Sequence, residues 1–178
     1  MSVALSFDIS TTCIGHAGYD LDCREYLYAL CGWFVPAKKS APARERLLSM
    51  VGDVYALIRD ASPAIIVVES MDRKQHTRHS ERTTGLPVCA WGMGYIEGYI
   101  AALFPDSRIC AVPNQEWTKG KKKELRPALA ASVAPRVYTP GNAGMDKGRD
   151  LADAILILDY WLHLSASIKA TMAGRRAS

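Results

Sequence analysis

No apolar run in this chain approaches the roughly 18 residues needed to cross a bilayer. Its first residues enter an apolar, strand-like segment at Val3 without the basic stretch and apolar core of a secretory leader. The five cysteines, Cys13, Cys23, Cys31, Cys89 and Cys110, are odd in number and include no C-x-x-C pair of the kind used for zinc or redox work. They read as small buried apolar side chains in a reducing compartment. There is no internal repeat, no sign of a long disordered region and no break that separates a second domain. The expectation is a soluble, intracellular protein with no membrane association.

What is present suits one domain. A length of 178 residues with 49% hydrophobic content supplies a real core, expected over about residues 3–164 with a basic tail at 165–178. The net charge is only +4, but the basic residues are grouped. Arg73, Lys74, Arg78 and Arg82 form one cluster, and Lys119, Lys121, Lys122 and Lys123 another. A phosphate-rich partner explains both; solvated loops and a lysine-rich helix start are the alternative.

Short apolar segments at Val3 to Phe7, Ile14 to Tyr19 and Glu25 to Phe34 predict three strands in an antiparallel meander. Helical spacing from Ala43 to Arg59 stops at Ser62-Pro63. The continuous aliphatic run Ala64 to Val68 predicts a strand covered on both faces. An apolar helix from about Thr84 to Leu103, a fifth strand at Ile109 to Val112, a basic helix from Lys121 to Val133 and a last helix from Asp150 to Leu164 complete the order. This is an α/β chain: a mixed five-stranded sheet, three strands antiparallel and the others parallel, with helices on both faces.

Acids stand at informative places in that order. Asp8 and Glu69 each end an apolar strand, where the carboxyl ends of parallel strands form the usual ligand crevice. Asp150 and Asp153 lie three apart at the start of the last helix, on one of its faces. Brought together, the four could not all ionise unless divalent cations sat among them. That combination describes a metal-dependent phosphoryl-transfer centre, in which hard cations take oxygen ligands and two ions can serve both ends of an in-line displacement. Each acid also has a plainer reading: Asp150 as a helix cap, Glu69 as a surface strand end. Asp153 is harder to explain that way, because its neighbours from Ala152 to Leu158 are otherwise apolar. Asp146 and Asp159 read as solvated. His76 and His79 have a metal-like spacing without fitting partners, His16 and His163 read as structural, and Trp117 as a packing residue.

Ser6-Phe7-Asp8-Ile9-Ser10 with Gly15, Ile65-Ile66-Val67-Val68-Glu69 and Asp150-Leu151-Ala152-Asp153-Ala154 together resemble, in order and spacing, the ribonuclease-H-like superfamily. Within it they are most similar to the RuvC-type Holliday junction resolvases of phage. The resemblance implies a ribonuclease-H-like nuclease domain with Asp8, Glu69, Asp150 and Asp153 as metal-binding catalytic acids. It also implies two Mg²⁺ ions per site, replaceable by Mn²⁺, and a homodimer that cuts four-way DNA junctions. The two basic clusters then become nucleic-acid contacts, and Lys119 the candidate catalytic cation. The family's Asp-Pro-Gly or Asp-Pro-Ser at the first acid is Asp8-Ile9-Ser10 here. Other readings are a ribonuclease-H-like nuclease for flaps or RNA–DNA hybrids, and a branched-DNA-binding module that does not cleave. The Asp8-Ile9-Ser10-Thr11-Thr12 segment also resembles the first phosphate loop of actin-like ATPases, but those need two such domains.

Overall fold

The computed structural model describes residues 1–70, 86–139, 145–146 and 149–164, with backbone alone for 86–91. Val3–Ile9 forms β1, and Ile14–Asp20 returns beside it as antiparallel β2, with Val3 opposite Asp20 and Ile9 opposite Ile14. Ser10 closes the turn between them. Its Oγ donates to the Cys13 carbonyl at 2.7 Å and accepts the amides of Thr12 and Cys13 at 3.3 and 3.1 Å, so a short polar side chain reinforces the backbone bond from the Ser10 amide to the same carbonyl at 3.1 Å.

The expected third strand is two short pieces, β3 (Glu25–Tyr26) and β4 (Gly32–Phe34), both paired with β2 and separated by a 3-10 turn at Tyr28–Leu30. The sheet therefore has six strands, not five. Packing explains the interruption: a Cβ on Gly18 would lie 2.4 Å from the Leu30 Cβ, so the turn lays Leu30 directly over β2. The Leu30 carbonyl lies 3.1 Å from His16 Nδ1, and the His16 ring stacks on Phe34 at 4.5 Å. His16 is structural, as expected.

Helix α1 (Ala43–Ala61) buries Leu47, Met50, Val51, Val54 and Ile58 along one stripe and ends at Ser62 in the left-handed region. β5 (Ile65–Ser70) then pairs parallel with β1. After α2 (Leu86–Leu103), β6 (Arg108–Pro113) pairs parallel with β5. The sheet order is β3-β2-β1-β5-β6, with β4 also on β2. The single basic helix expected from Lys121 is shorter. A 3-10 turn at Lys123–Leu125 leads into α4 (Arg126–Val133), whose first turn holds Pro127, following the one-turn α3 (Asn114–Trp117). The last helix, α5, runs Asp150–His163. No helix among the described residues is long and apolar enough to cross a membrane.

Alternate residues of each strand serve two different cores. Val3, Leu5, Phe7, Ile9, Ile66, Val68 and Ile109 pack with the buried stripes of α1 and α2. Ala4, Ala17, Val67, Cys110 and Val112 pack with α4 and with α5, from Leu151 to Trp161. Cys13 and Cys110 are buried as expected, whereas Cys23 is exposed in the turn after β2.

Candidate metal centre

Phe7 stands beside Val68 in the parallel register of β1 and β5, so the next residue along each strand, Asp8 and Glu69, is set side by side. Strand alternation puts both on the face of Ala4, Ser6 and Val67, the face that α5 covers. The start of α5 is brought down onto Asp8 by the residue opposite it. Asp8 pairs with Gly15 of β2, and a Cβ on Gly15 would fall 2.0 Å from the Asp150 carbonyl oxygen. Only glycine admits that approach. One turn further along, the buried Ser6 hydroxyl donates to the Ala154 carbonyl at 2.7 Å, pinning helix to strand.

Asp146 completes the placement and is not the solvated residue expected. It is buried, accepts the Tyr138 hydroxyl at 2.9 Å, and takes the amides of Leu151 and Ala152 at 3.2 and 3.0 Å. It thus supplies the anion at the α5 N-terminus that the preceding residue, Arg149 in the left-handed region, does not. With that role filled by Asp146, Asp150 is free of capping duty. Asp159 is half-buried beside His163.

The four expected acids therefore share one electrostatic environment. The Asp8 carboxyl is driven well above the ordinary carboxylate range, by burial first and then by the charges of Glu69, Asp153 and Asp150, with Arg126 pulling the other way. Asp153 is pushed up to about 6 by burial, opposed by Arg126, with Glu69 adding to the rise. Asp150 is raised by burial and by Asp146, against a hydrogen bond with Cys13 and the charge of Lys123. Like charges on a partly buried floor oppose one another's ionisation, and such clusters mark candidate functional sites.

The side chains around the acids have specific partners. Glu69 Oε1 accepts the Asn114 amide and the Trp117 indole N–H, the latter at 2.9 Å. Trp117 is buried packing, as expected, with this second task. Arg126 Nη1 meets Asp153 Oδ2 at 2.7 Å, while Asp153 Oδ1 and Arg126 Nε, both buried, have no hydrogen-bond partner among the described residues. With those partners in place, no group of three or more Asp, Glu, His or Cys side chains among the described residues closes into a metal cage. The donor set nonetheless fits a hard divalent cation. It offers carboxylate oxygen alone, in excess negative charge, and one buried carboxylate oxygen lacks a partner.

The lysines separate. Lys123 is the one whose charge reaches Asp150 and Asp153. Lys121 turns away, donating to the Trp117 carbonyl at 2.6 Å and lying 5.8 Å over the Tyr160 ring. Lys119 and Lys122 are exposed on the loop after α3. Arg73, Lys74, Arg78, Arg82, His76 and His79 lie outside the described residues. Sequence reasoning missed Arg126, Asn114 and Asp146.

No family model and no curated protein matches the sequence. Among solved structures the chain is similar to Thermus thermophilus RuvC in complex with a Holliday junction substrate. That match has TM-score 0.60 and 13% identity, over 91% of this chain and 93% of that one. It is also similar to Thermus thermophilus RuvC alone, with TM-score 0.58, 16% identity and 90% and 95% of the two chains. The yeast mitochondrial Holliday junction resolvase Ydc2 matches with TM-score 0.51 and 15% identity, over 90% and 78%. The fold is thus the ribonuclease-H-like fold of RuvC.

Proposed function

We propose that this chain is a divalent-metal-dependent endonuclease that hydrolyses phosphodiesters in branched DNA, with the four-way junction as its substrate and a homodimer as its working form. The observation that carries the proposal is the placement of Asp8, a half-buried carboxylate set beside Glu69 at neighbouring strand ends, under the helix start that brings Asp150 and Asp153 down onto the same face of the sheet. A protein gains nothing in stability from four acids so arranged, whereas a cation site requires them.

Asp8 sits between the strand-borne and helix-borne acids and is assigned as the central ligand, with Glu69, Asp150 and Asp153 around it. When bound, Mg²⁺ or Mn²⁺ supplies a nucleophilic water and offsets charge on the leaving oxygen, a task two ions can share. Glu69 is oriented for its part by Asn114 and Trp117. Lys123, nearest of the lysines in electrostatic terms, is assigned to the scissile phosphate in place of Lys119. Arg73, Lys74, Arg78 and Arg82, with Lys119 and Lys122, are assigned to backbone phosphates, which give affinity without sequence preference.

The junction is preferred over other substrates because the fold is that of RuvC, including a structure solved on a Holliday junction, and because a two-fold substrate suits a two-fold dimer. The test is cleavage of a labelled four-way junction beside a matched linear duplex and an RNA–DNA hybrid, with and without Mg²⁺, for the native chain and Asp8→Asn. Paired nicks at the junction that need Mg²⁺ and vanish in Asp8→Asn are expected. Junction binding without cleavage in any divalent metal would make the protein a binding module, and preferential hybrid cleavage a ribonuclease.

A further inference from the structure

Arg126 is the one cation held within the acid cluster by direct contact among the described residues, and its surroundings are unusual for a structural ion pair. The pair with Asp153 is largely buried, at 14% and 10% side-chain exposure, yet only Nη1 and Oδ2 meet. Arginine and carboxylate normally close a two-bond fork that satisfies both oxygens. Here the fork stays open, leaving Arg126 Nε and Asp153 Oδ1 buried without partners among the described residues. A pair kept for stability alone would be expected to close it, because each unsatisfied buried polar atom carries its full desolvation penalty.

The guanidinium also lies 4.8 Å over the Trp117 ring, and the same indole donates to Glu69. Arg126 therefore touches Asp153 directly and supports Glu69 through Trp117. Its charge lies close enough to act on Asp8 as well. Arg126 offsets the repulsion among the acids, and it does so through Asp153 Oδ2, a carboxylate oxygen that a metal would also need.

Resting on the metal-site reading above, we propose that Arg126 is a positioning residue that serves as the cluster's internal counterion and competes with the divalent cation for Asp153. Entry of the cation requires Arg126 to leave Asp153 Oδ2, and its stacking on Trp117 gives the guanidinium a place to remain while it does so. Competition of this kind lowers metal affinity by the free energy of the contact given up. Metal occupancy becomes conditional, and any bound phosphate that draws Arg126 toward itself would raise it.

The test uses Mn²⁺ alone, titrated into the full chain without DNA, with free Mn²⁺ read by electron paramagnetic resonance and melting temperature recorded in parallel. Arg126→Met removes the charge while keeping apolar bulk over Trp117. It is expected to melt lower than the native chain without metal and to bind Mn²⁺ roughly tenfold tighter, within the roughly 5–150-fold range of coupled binding equilibria. Arg126→Lys retains a charge if the first variant fails to fold; lacking the planar stack, it is expected to bind Mn²⁺ with an affinity between the two. A merely structural arginine would lower the melting temperature without tightening Mn²⁺. Unchanged or weaker binding in whichever variant folds, with native binding abolished by Asp8→Asn, overturns the role of Arg126 and leaves the metal site standing. Absence of Asp8-dependent Mn²⁺ binding in native and variant chains alike overturns both.

Discussion

The two faces of the sheet are written in alternate letters of the same strands, and they follow different rules. Toward α1 and α2, β1 presents Val3, Leu5, Phe7 and Ile9, large apolar side chains that fill space. Toward α5 it presents Ala4, Ser6 and Asp8, opposed by Gly15 and Ala17 on β2. Large residues hold a helix at a distance and give a core its volume. Small ones let a helix backbone settle almost onto the strands, which is how carboxylates from a helix and from strand ends come to share one site. On the first face the strands supply the bulk of the core; on the second the strand side chains are small and the bulk comes from α5 and its neighbours, Trp117, Tyr138 and Trp161 among them.

Substitutions on each face can break this contrast. Leu5→Ala, on the packing face, is expected to cost about 2–5 kcal/mol, seen as a fall in the denaturation midpoint. The protein that remains folded should keep its metal response. Gly15→Ala, on the site face, should cost roughly 1–3 kcal/mol by overpacking and also abolish metal binding, because the added methyl would meet the Asp150 backbone. A control sharpens the point. A Cβ on Gly92 would meet the Leu47 side chain at 2.1 Å, but that contact is with the end of a rotatable side chain in the packing core. Gly92→Ala should shift the midpoint little, since helix propensity returns up to about 1 kcal/mol. Asp146→Ala should cost about 1 kcal/mol for a lost cap and weaken metal binding as the first turn of α5 loosens, so that of the site-face changes it has the smallest effect.

The packing face was the more legible in sequence. Aliphatic runs and helical stripes place β1, β2, β5, β6, α1 and α5 close to where they lie, because volume and periodicity are properties of the chain itself. The break at Tyr28–Leu30 was invisible, since it depends on a glycine in a different strand. On the site face, Asp8, Glu69 and Asp153 stood out as charges at the ends of, or within, apolar runs. Arg126 did not, being one cation among several near Lys121 to Lys123, and Asp146 was hidden in a loop of prolines and glycines. Their partners are set by tertiary approach, which neither composition nor spacing encodes. Which of Lys119 and Lys123 reaches the acids is likewise set by the path of the folded loop and not by spacing.

One measurement bears most directly on the claim that the acids are crowded for the sake of a cation: the melting temperature of native protein and Asp8→Asn across pH 4–8, in chelator and in Mg²⁺. The sign follows from the raised folded-state value of Asp8. Below the unfolded value of about 4 the carboxyl is neutral in both states and costs nothing; as pH rises through the folded value, its ionisation increasingly opposes folding. Without metal, Asp8→Asn should therefore melt higher than the native chain, by a margin that widens with pH. Mg²⁺ should close that margin by stabilising only the native protein. Asp8→Asn melting lower at every pH, with Mg²⁺ acting equally on both, would contradict the account.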